Sequence, residues 1–417
     1  MDSRRFFAHC ASAGALLVPG LALLLPSGYS YGAVLLLLAA VASAPLWWRQ
    51  PVPRDARWLA AAVFGMFALW LLDVGAAWGW GSMDRPAKYL LALPCVFYLM
   101  AFTPRTGWLW MGIALGGVGS GMVGLYQTFV LNLPRASGFT NAIQYGNLSL
   151  LLALMAALVL VVQWSRWVVW QRLLLASAVG LGLGGSVMSY SRGGWLAFAL
   201  LVPLCAWLLV RTTGQRRIYW GLGALLLAAA ALSQLPAVEH RVDEALHEVQ
   251  IHRTQGDSHS SVGQRLAHWQ LAWQMGLDRP WTGWGRAGYD QEKARRVAAG
   301  LAHPFVLQFG HAHNEVLDLF AKRGVPGVLM LLAFYGVPLL IFWPTQRRIG
   351  DAAGQVDKES LALCLVGMML PLSYIGFGLT QVFLAHNSGN LFYLFMCPLV
   401  LAALHRRRAQ LLLPPSA

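Results

Sequence analysis

His311-Ala312-His313-Asn314-Glu315 sets two imidazoles and a carboxylate in a polar island, just before an apolar run that resumes at Val325. Desolvating such groups is costly unless they have partners or a task. A neutral imidazole can accept a proton near pH 7, and imidazole with carboxylate can also hold zinc or manganese. The residues that follow predict a helix over 313–322, with His313, Val316, Leu317 and Phe320 on one face. The positive end of that helix would keep His313 neutral, as a proton acceptor requires. His311 then precedes the helix, so His311 and His313, with His303 and Glu315 nearby, lack the spacing of a helical metal dyad. The apolar runs hold no matching acidic cluster, and no metal is expected. His240, His247, His252, His259 and His268 read as solvated or packed residues of the same segment.

Cations of a different kind stand elsewhere. Arg135 lies in Pro134-Arg135-Ala136-Ser137-Gly138, Arg192 in Ser191-Arg192-Gly193-Gly194, and Arg265 in Gly263-Gln264-Arg265. A guanidinium stays charged, and its planar fork matches phosphate oxygens, so arginines at a membrane boundary suit a diphosphate. Arg85 and Lys88 read instead as cations reaching lipid headgroups. Ser189 or Ser191 as a nucleophile has no Gly-x-Ser-x-Gly turn to support it.

These residues need a membrane scaffold to position them. Hydrophobic residues make up 57% of the chain and charged ones 12%, and apolar runs of bilayer-spanning length recur. Twelve spans are expected: 8–26, 29–48, 57–75, 86–103, 107–131, 143–163, 168–189, 194–210, 217–236, 325–343, 360–382 and 389–405. Each must be helical, because hydrocarbon leaves no partner for open backbone. The fold class is therefore an all-α polytopic membrane protein.

The net charge of +14 follows topology, which argues against nucleic acid: 17 of the 31 Lys and Arg sit at the termini and in alternate loops. That pattern puts both termini in the cytoplasm. Arg4-Arg5 and the apolar stretch after it resemble a signal peptide but read as an uncleaved first helix, and the five cysteines form no disulfide framework. Three regions result: membrane helices over 1–236, a polar segment over 237–323 on the outer face, and membrane helices with a tail over 324–417. The polar segment is balanced, with 10 basic and 10 acidic residues, which suits a folded cap. Helices are expected over 239–252 and 262–277, with a Gly- and Trp-rich turn over 281–285.

His313-Asn314 followed by Arg323-Gly324-Val325-Pro326-Gly327 resembles the signature of the O-antigen ligases. The Ser191-to-Trp195 loop, Gly263-Gln264-Arg265 and Pro280-Trp281-Thr282-Gly283-Trp284-Gly285 are similar to motifs of the wider ligase and polymerase superfamily. That superfamily also contains protein O-oligosaccharyltransferases. The resemblance implies a GT-C-like glycosyltransferase of the bacterial inner membrane with a periplasmic active site and no cofactor. Its donor would be undecaprenyl-diphosphate-linked O-antigen and its acceptor a sugar hydroxyl of lipid A–core oligosaccharide. On this reading His313 is the general base, and Arg192 and Arg265 join it as catalytic residues. Arg135, His311, Gln144, Tyr145, Asn314 and Gln264 would contact substrate. An O-antigen polymerase is the nearest alternative. A lipid transporter suits the arginines too, but the chain shows no two-fold internal repeat.

Overall fold

The computed structural model describes residues 3–74, 80–191, 193–215 and 261–412. The expected span 217–236 and the expected helix 239–252 lie outside the described residues, as does Arg192. Among the described residues, seven helices are long and apolar enough to cross a membrane. They match the expected spans at 107–131, 143–163, 168–189, 194–210, 325–343, 360–382 and 389–405. The expected spans 8–26, 29–48, 57–75 and 86–103 fall on helices Ser3–Leu21, Gly28–Ala42, Arg54–Leu71 and Trp80–Ala101.

Two expected boundaries are corrected. The tenth span does not begin at 325; it is the second arm of a helix, Glu315–Phe342, interrupted by one non-helical residue, Gly324. The eleventh stops at Gly378, so Gln381 lies in a turn beyond the helix.

The chain divides into two compact units. The first comprises 1–198, 332–377 and 383–417. It is a helix bundle built on close backbone approach. The glycine-rich helix Thr106–Leu125 packs against both Ser3–Leu21 and Val169–Met188. A Cβ on Gly116 would stand 2.2 Å from Pro19 O, and one on Gly121 would stand 2.4 Å from Leu181 O. Small residues allow this because apolar lipid gives no hydrophobic drive, and helix association rests on contact. Polar residues inside the bundle bond to backbone: Ser149 Oγ donates to Gly182 O at 2.8 Å. Arg85 lies over the Trp70 ring at 4.6 Å, and Lys88 pairs with Asp84, so both have protein partners.

The second unit comprises 199–331 and 378–382. Its described core is Leu271, Met275, Tyr289, Val306, Ala312 and Ala321, drawn from helices Ser261–Asp278 and Gly285–Ala298, the turn Pro304–Leu307 and the first arm of Glu315–Phe342. The helix expected over 262–277 is present at nearly those bounds. Gly285–Ala298, in contrast, extends the turn expected over 281–285 into a helix.

Candidate functional site

Asn314, not His313, starts the helix. Its Oδ1 accepts from Val316 N at 3.1 Å and Leu317 N at 3.0 Å, and its backbone carbonyl accepts from Asp318 N. This is the arrangement of an N-cap, a role for which asparagine is among the favoured types and histidine is not. His313 stands one residue earlier with φ 52°, in the left-handed region. The expectation that it shares a helical face with Val316, Leu317 and Phe320 is therefore corrected. Asn314 also holds its surroundings through Nδ2, which donates to Leu379 O at 3.2 Å.

That bond draws the 378–382 turn against the histidines. His313 Nδ1 lies 3.0 Å from Gln381 Oε1. An amide oxygen only accepts, so this contact favours a proton on Nδ1, and in the neutral ring that tautomer puts the lone pair on Nε2. Gln381 is buried and was not singled out from the sequence. Its one signal there was a polar residue inside the apolar run expected as span 360–382.

Three imidazoles gather at this point. The His311 and His313 ring centroids are 4.4 Å apart, and those of His268 and His313 are 5.3 Å apart. Phe309 packs on all three rings. His268 is only 1% exposed, and neither ring nitrogen has a hydrogen-bond partner. Burial, reinforced by His313 and Lys293, pushes its pKa down to about 4. It therefore stays uncharged beside His313 across the physiological range. Among the described residues no three His, Cys, Asp or Glu side chains are arranged to hold a metal ion.

Helix Ser261–Asp278 brings Arg265 to this unit. Arg265, His268 and Trp269 lie at i, i+3 and i+4, on one face. On that face the His268 ring packs on His313, and Trp269 Nε1 donates to His313 O at 3.4 Å. Gln264 is the neighbouring residue, partly exposed like Arg265.

The loop carrying the histidines is clamped from below by charge. Lys293 Nζ donates to Phe309 O at 2.7 Å, and Lys322 Nζ donates to Gly310 O at 2.9 Å. Asp318 Oδ1 accepts from Ala312 N at 2.9 Å and pairs with Lys322 at 2.8 Å. Both lysine ammoniums lie over the Tyr289 ring, at 4.9 and 4.8 Å. Burial raises the Tyr289 phenol well above its ordinary value, so the ring offers a neutral π face. Every carbonyl from 309 to 310 and the amide of 312 is thus held by a buried ionic group.

The two glycine-containing motifs lock together behind the clamp. Val325 N donates to Pro280 O at 2.6 Å and Trp284 N to Ala321 O at 3.0 Å. Gly324 has φ 63°, and a Cβ there would stand 2.3 Å from Pro280 O. Gly283 has φ 61°, and a Cβ there would stand 2.2 Å from Lys322 C. Only glycine meets both demands, positive φ and backbone contact.

The remaining expected residues belong to the first unit. Arg135 is exposed, and its Nε donates to Ser189 O at 3.0 Å, joining its loop to the residues just before 192. Gln144 and Tyr145, expected to touch substrate, are fully buried. Gln144 Nε2 donates to Phe383 O at 3.3 Å, and the Tyr145 hydroxyl donates to Ser120 O. Those two donor groups bond within the bundle, and Gln144 Oε1 is buried with no hydrogen-bond partner.

Residues 177–332 match the family model described as O-Antigen ligase. That match supports membership of the O-antigen ligase superfamily. The matched segment contains Arg192, Arg265, His311, His313 and Asn314, and leaves out Arg135, Gln144, Tyr145 and Gln381. An uncharacterized protein of Haemophilus influenzae is 24% identical over 375 residues, spanning 89% of this chain and 92% of that protein. Members of this superfamily are glycosyltransferase-like membrane enzymes that handle lipid-linked polysaccharide, in keeping with the apolar helices of this integral membrane protein.

Proposed function

We propose that this protein is an O-antigen ligase, transferring polysaccharide from undecaprenyl diphosphate to a sugar hydroxyl of lipid A–core oligosaccharide at the periplasmic face of the inner membrane. The observation that carries the reading is the contact of His313 Nδ1 with the buried Gln381. With its Nδ1 proton held by Gln381, the lone pair is on Nε2, where a general base needs it.

The acceptor oxygen attacks the anomeric carbon as the carbon–oxygen bond to the diphosphate breaks. The hydroxyl proton passes to His313 Nε2, and the electron pair leaves on the diphosphate. One displacement inverts the anomeric centre. Charge grows on the leaving diphosphate, and guanidiniums stabilise it most where water is excluded. Arg265 belongs to the same unit as His313, and Arg192 and Arg135 would add to it. His268, neutral and in ring contact with His313, adds no second positive charge when the proton arrives. His311 packs on the base and orients it. Asn314 acts by capping the helix that follows. No cofactor has a role in this scheme.

Purified protein given lipid-linked donor and lipid A–core acceptor tests the reading. A ladder attached to lipid A–core, lost on His313→Ala with donor binding kept, is the expected result; a general base is typically worth about 10²–10⁴-fold. Lengthening of the lipid-linked donor alone would assign polymerase activity instead, and full ligation by His313→Ala would remove the base.

A further inference from the structure

We propose that the arginine-lined cavity at the end of the first unit, between Arg54–Leu71, the short helix Gln346–Ile349 and the last helix, binds the phosphate of an anionic lipid headgroup. The cavity measures about 680 Å³ and is lined by Arg347, Arg348 and Arg408, with Asp55 and His405. That volume suits a headgroup-sized ligand and far exceeds the space of a single ion.

The charges around it do not cancel. Three guanidiniums face one carboxylate, and that carboxylate is only loosely engaged: Asp55 Oδ2 lies 3.9 Å from Arg348 Nη2. Arg348 is fixed in place, its Nη1 donating to Leu340 O at 2.9 Å and Trp343 O at 3.1 Å, the closing carbonyls of Glu315–Phe342. Arg408 Nη1 is buried with no hydrogen-bond acceptor. A buried guanidinium N–H bears its full desolvation cost until an acceptor arrives, and an anion supplies one. An arginine placed only to set topology would turn its whole head to water, which the buried Arg408 Nη1 does not do.

The rim fixes the depth. Trp58 is 53% exposed and Trp343 37% exposed, and each lies within three residues of a lining residue, Asp55 or Thr345. Exposed tryptophans belong at the headgroup level, where one edge meets lipid and the other water. Leu340, 73% exposed, continues the apolar surface away from the cavity mouth. A phosphate in this cavity would therefore sit beside acyl chains, which favours a lipid over a soluble phosphate compound of the same chemistry. The surrounding loops are those whose arginines mark the cytoplasmic side, where anionic lipid and basic pockets between helices meet.

The test uses the full chain in nanodiscs of phosphatidylcholine with phosphatidylglycerol, and native mass spectrometry to count retained anionic lipid. At about fivefold per arginine near a membrane surface, Arg347→Gln with Arg408→Gln should lower retention by roughly 30-fold. A charge-matched pair outside the cavity, Arg49→Gln with Arg57→Gln, removes the same surface charge and should lower retention clearly less than the cavity pair does. Should the double variant fail to fold, Arg347→Gln alone, at an exposed position, should still show a loss of about fivefold. Inorganic pyrophosphate, added both to the phosphatidylglycerol-containing discs and to phosphatidylcholine-only discs, distinguishes the sources. Arginine-dependent retention of phosphatidylglycerol that pyrophosphate does not displace supports the lipid. Arginine-dependent stabilisation by pyrophosphate, with no selective lipid retention, overturns the lipid assignment. Equal lipid loss from both arginine pairs, or none from the cavity pair, overturns the site itself.

Discussion

Replacing Gln381 with glutamate should slow transfer at neutral pH by moving the pH dependence, not by removing a catalytic group. The amide oxygen 3.0 Å from His313 Nδ1 becomes a carboxylate oxygen at the same place. A hydrogen bond to a charged partner is worth about 1.5–3 kcal/mol, which here favours the imidazolium. At 1.36 kcal/mol per pKa unit, the base is raised by about 1–2 units. The active base is neutral, so raising its pKa moves the acid limb of the rate profile to higher pH by the same amount. Gln381→Leu makes the contrasting case. It strands the Nδ1 proton in a partly buried position at about 1–3 kcal/mol, a rate loss of about 5- to 150-fold, without the alkaline displacement. The other ionisable neighbours, His268, His311, Lys293 and Asp318, are unchanged in both variants. The measurement is initial ligation rate from pH 5 to 9 with purified protein, alongside thermal unfolding to confirm the fold. An acid limb for Gln381→Glu that coincides with that of the unaltered protein would refute the tautomer argument.

Three further outcomes follow from the same unit. His268 is held down to about pKa 4 by burial, with His313 and Lys293 adding to it, against about 6.5 in an open chain. The folded state therefore binds fewer protons than the unfolded one, and the stability His268 gives above pH 6.5 is lost as pH falls towards 4. His268→Phe should flatten the fall in melting temperature over that window, by an amount on the order of 3 kcal/mol; parallel melting curves would count against it. Gly324→Ala should destabilise by more than about 1 kcal/mol, since it combines positive φ with a Cβ 2.3 Å from Pro280 O. Thermal unfolding in detergent measures this, and an unchanged melting temperature would show that the two motifs are not locked. Asp318→Asn should cost about 3–5 kcal/mol by leaving Lys322 as an uncompensated buried charge. A double-mutant cycle with Lys322→Met reads the coupling, and additive effects would mean the pair does not act as a unit.

The membrane character and most helices could be read directly, because apolar length and the exclusion of open backbone from hydrocarbon act locally along the chain. The bounds of Ser261–Asp278 were also legible from its periodicity and its flanking turn residues. Helix starts were less so. Assigning the first turn to His313 ignored the preference of the next residue, Asn314, for capping, and the structure sides with the cap. Gln144 and Tyr145 stand beside an outer loop in the sequence, and that position gives no sign of their burial. Their burial depends on helices distant in sequence, which pattern alone does not bring together.

What the sequence determined by itself is the chemistry on offer: imidazoles next to a helix start, arginines outside the positive-inside pattern, and glycines at fixed points of two motifs. What only the tertiary structure decided is which side chain meets His313 Nδ1, that His268 sits buried with no hydrogen-bond partner against it, and that two buried lysines and Asp318 hold the loop between them. The reason is range. Helix propensity and hydropathy are settled within a few residues of chain, whereas the tautomer of His313 depends on a side chain 68 residues away, drawn in by a single cap residue that bonds both its own helix and the turn beyond the next span.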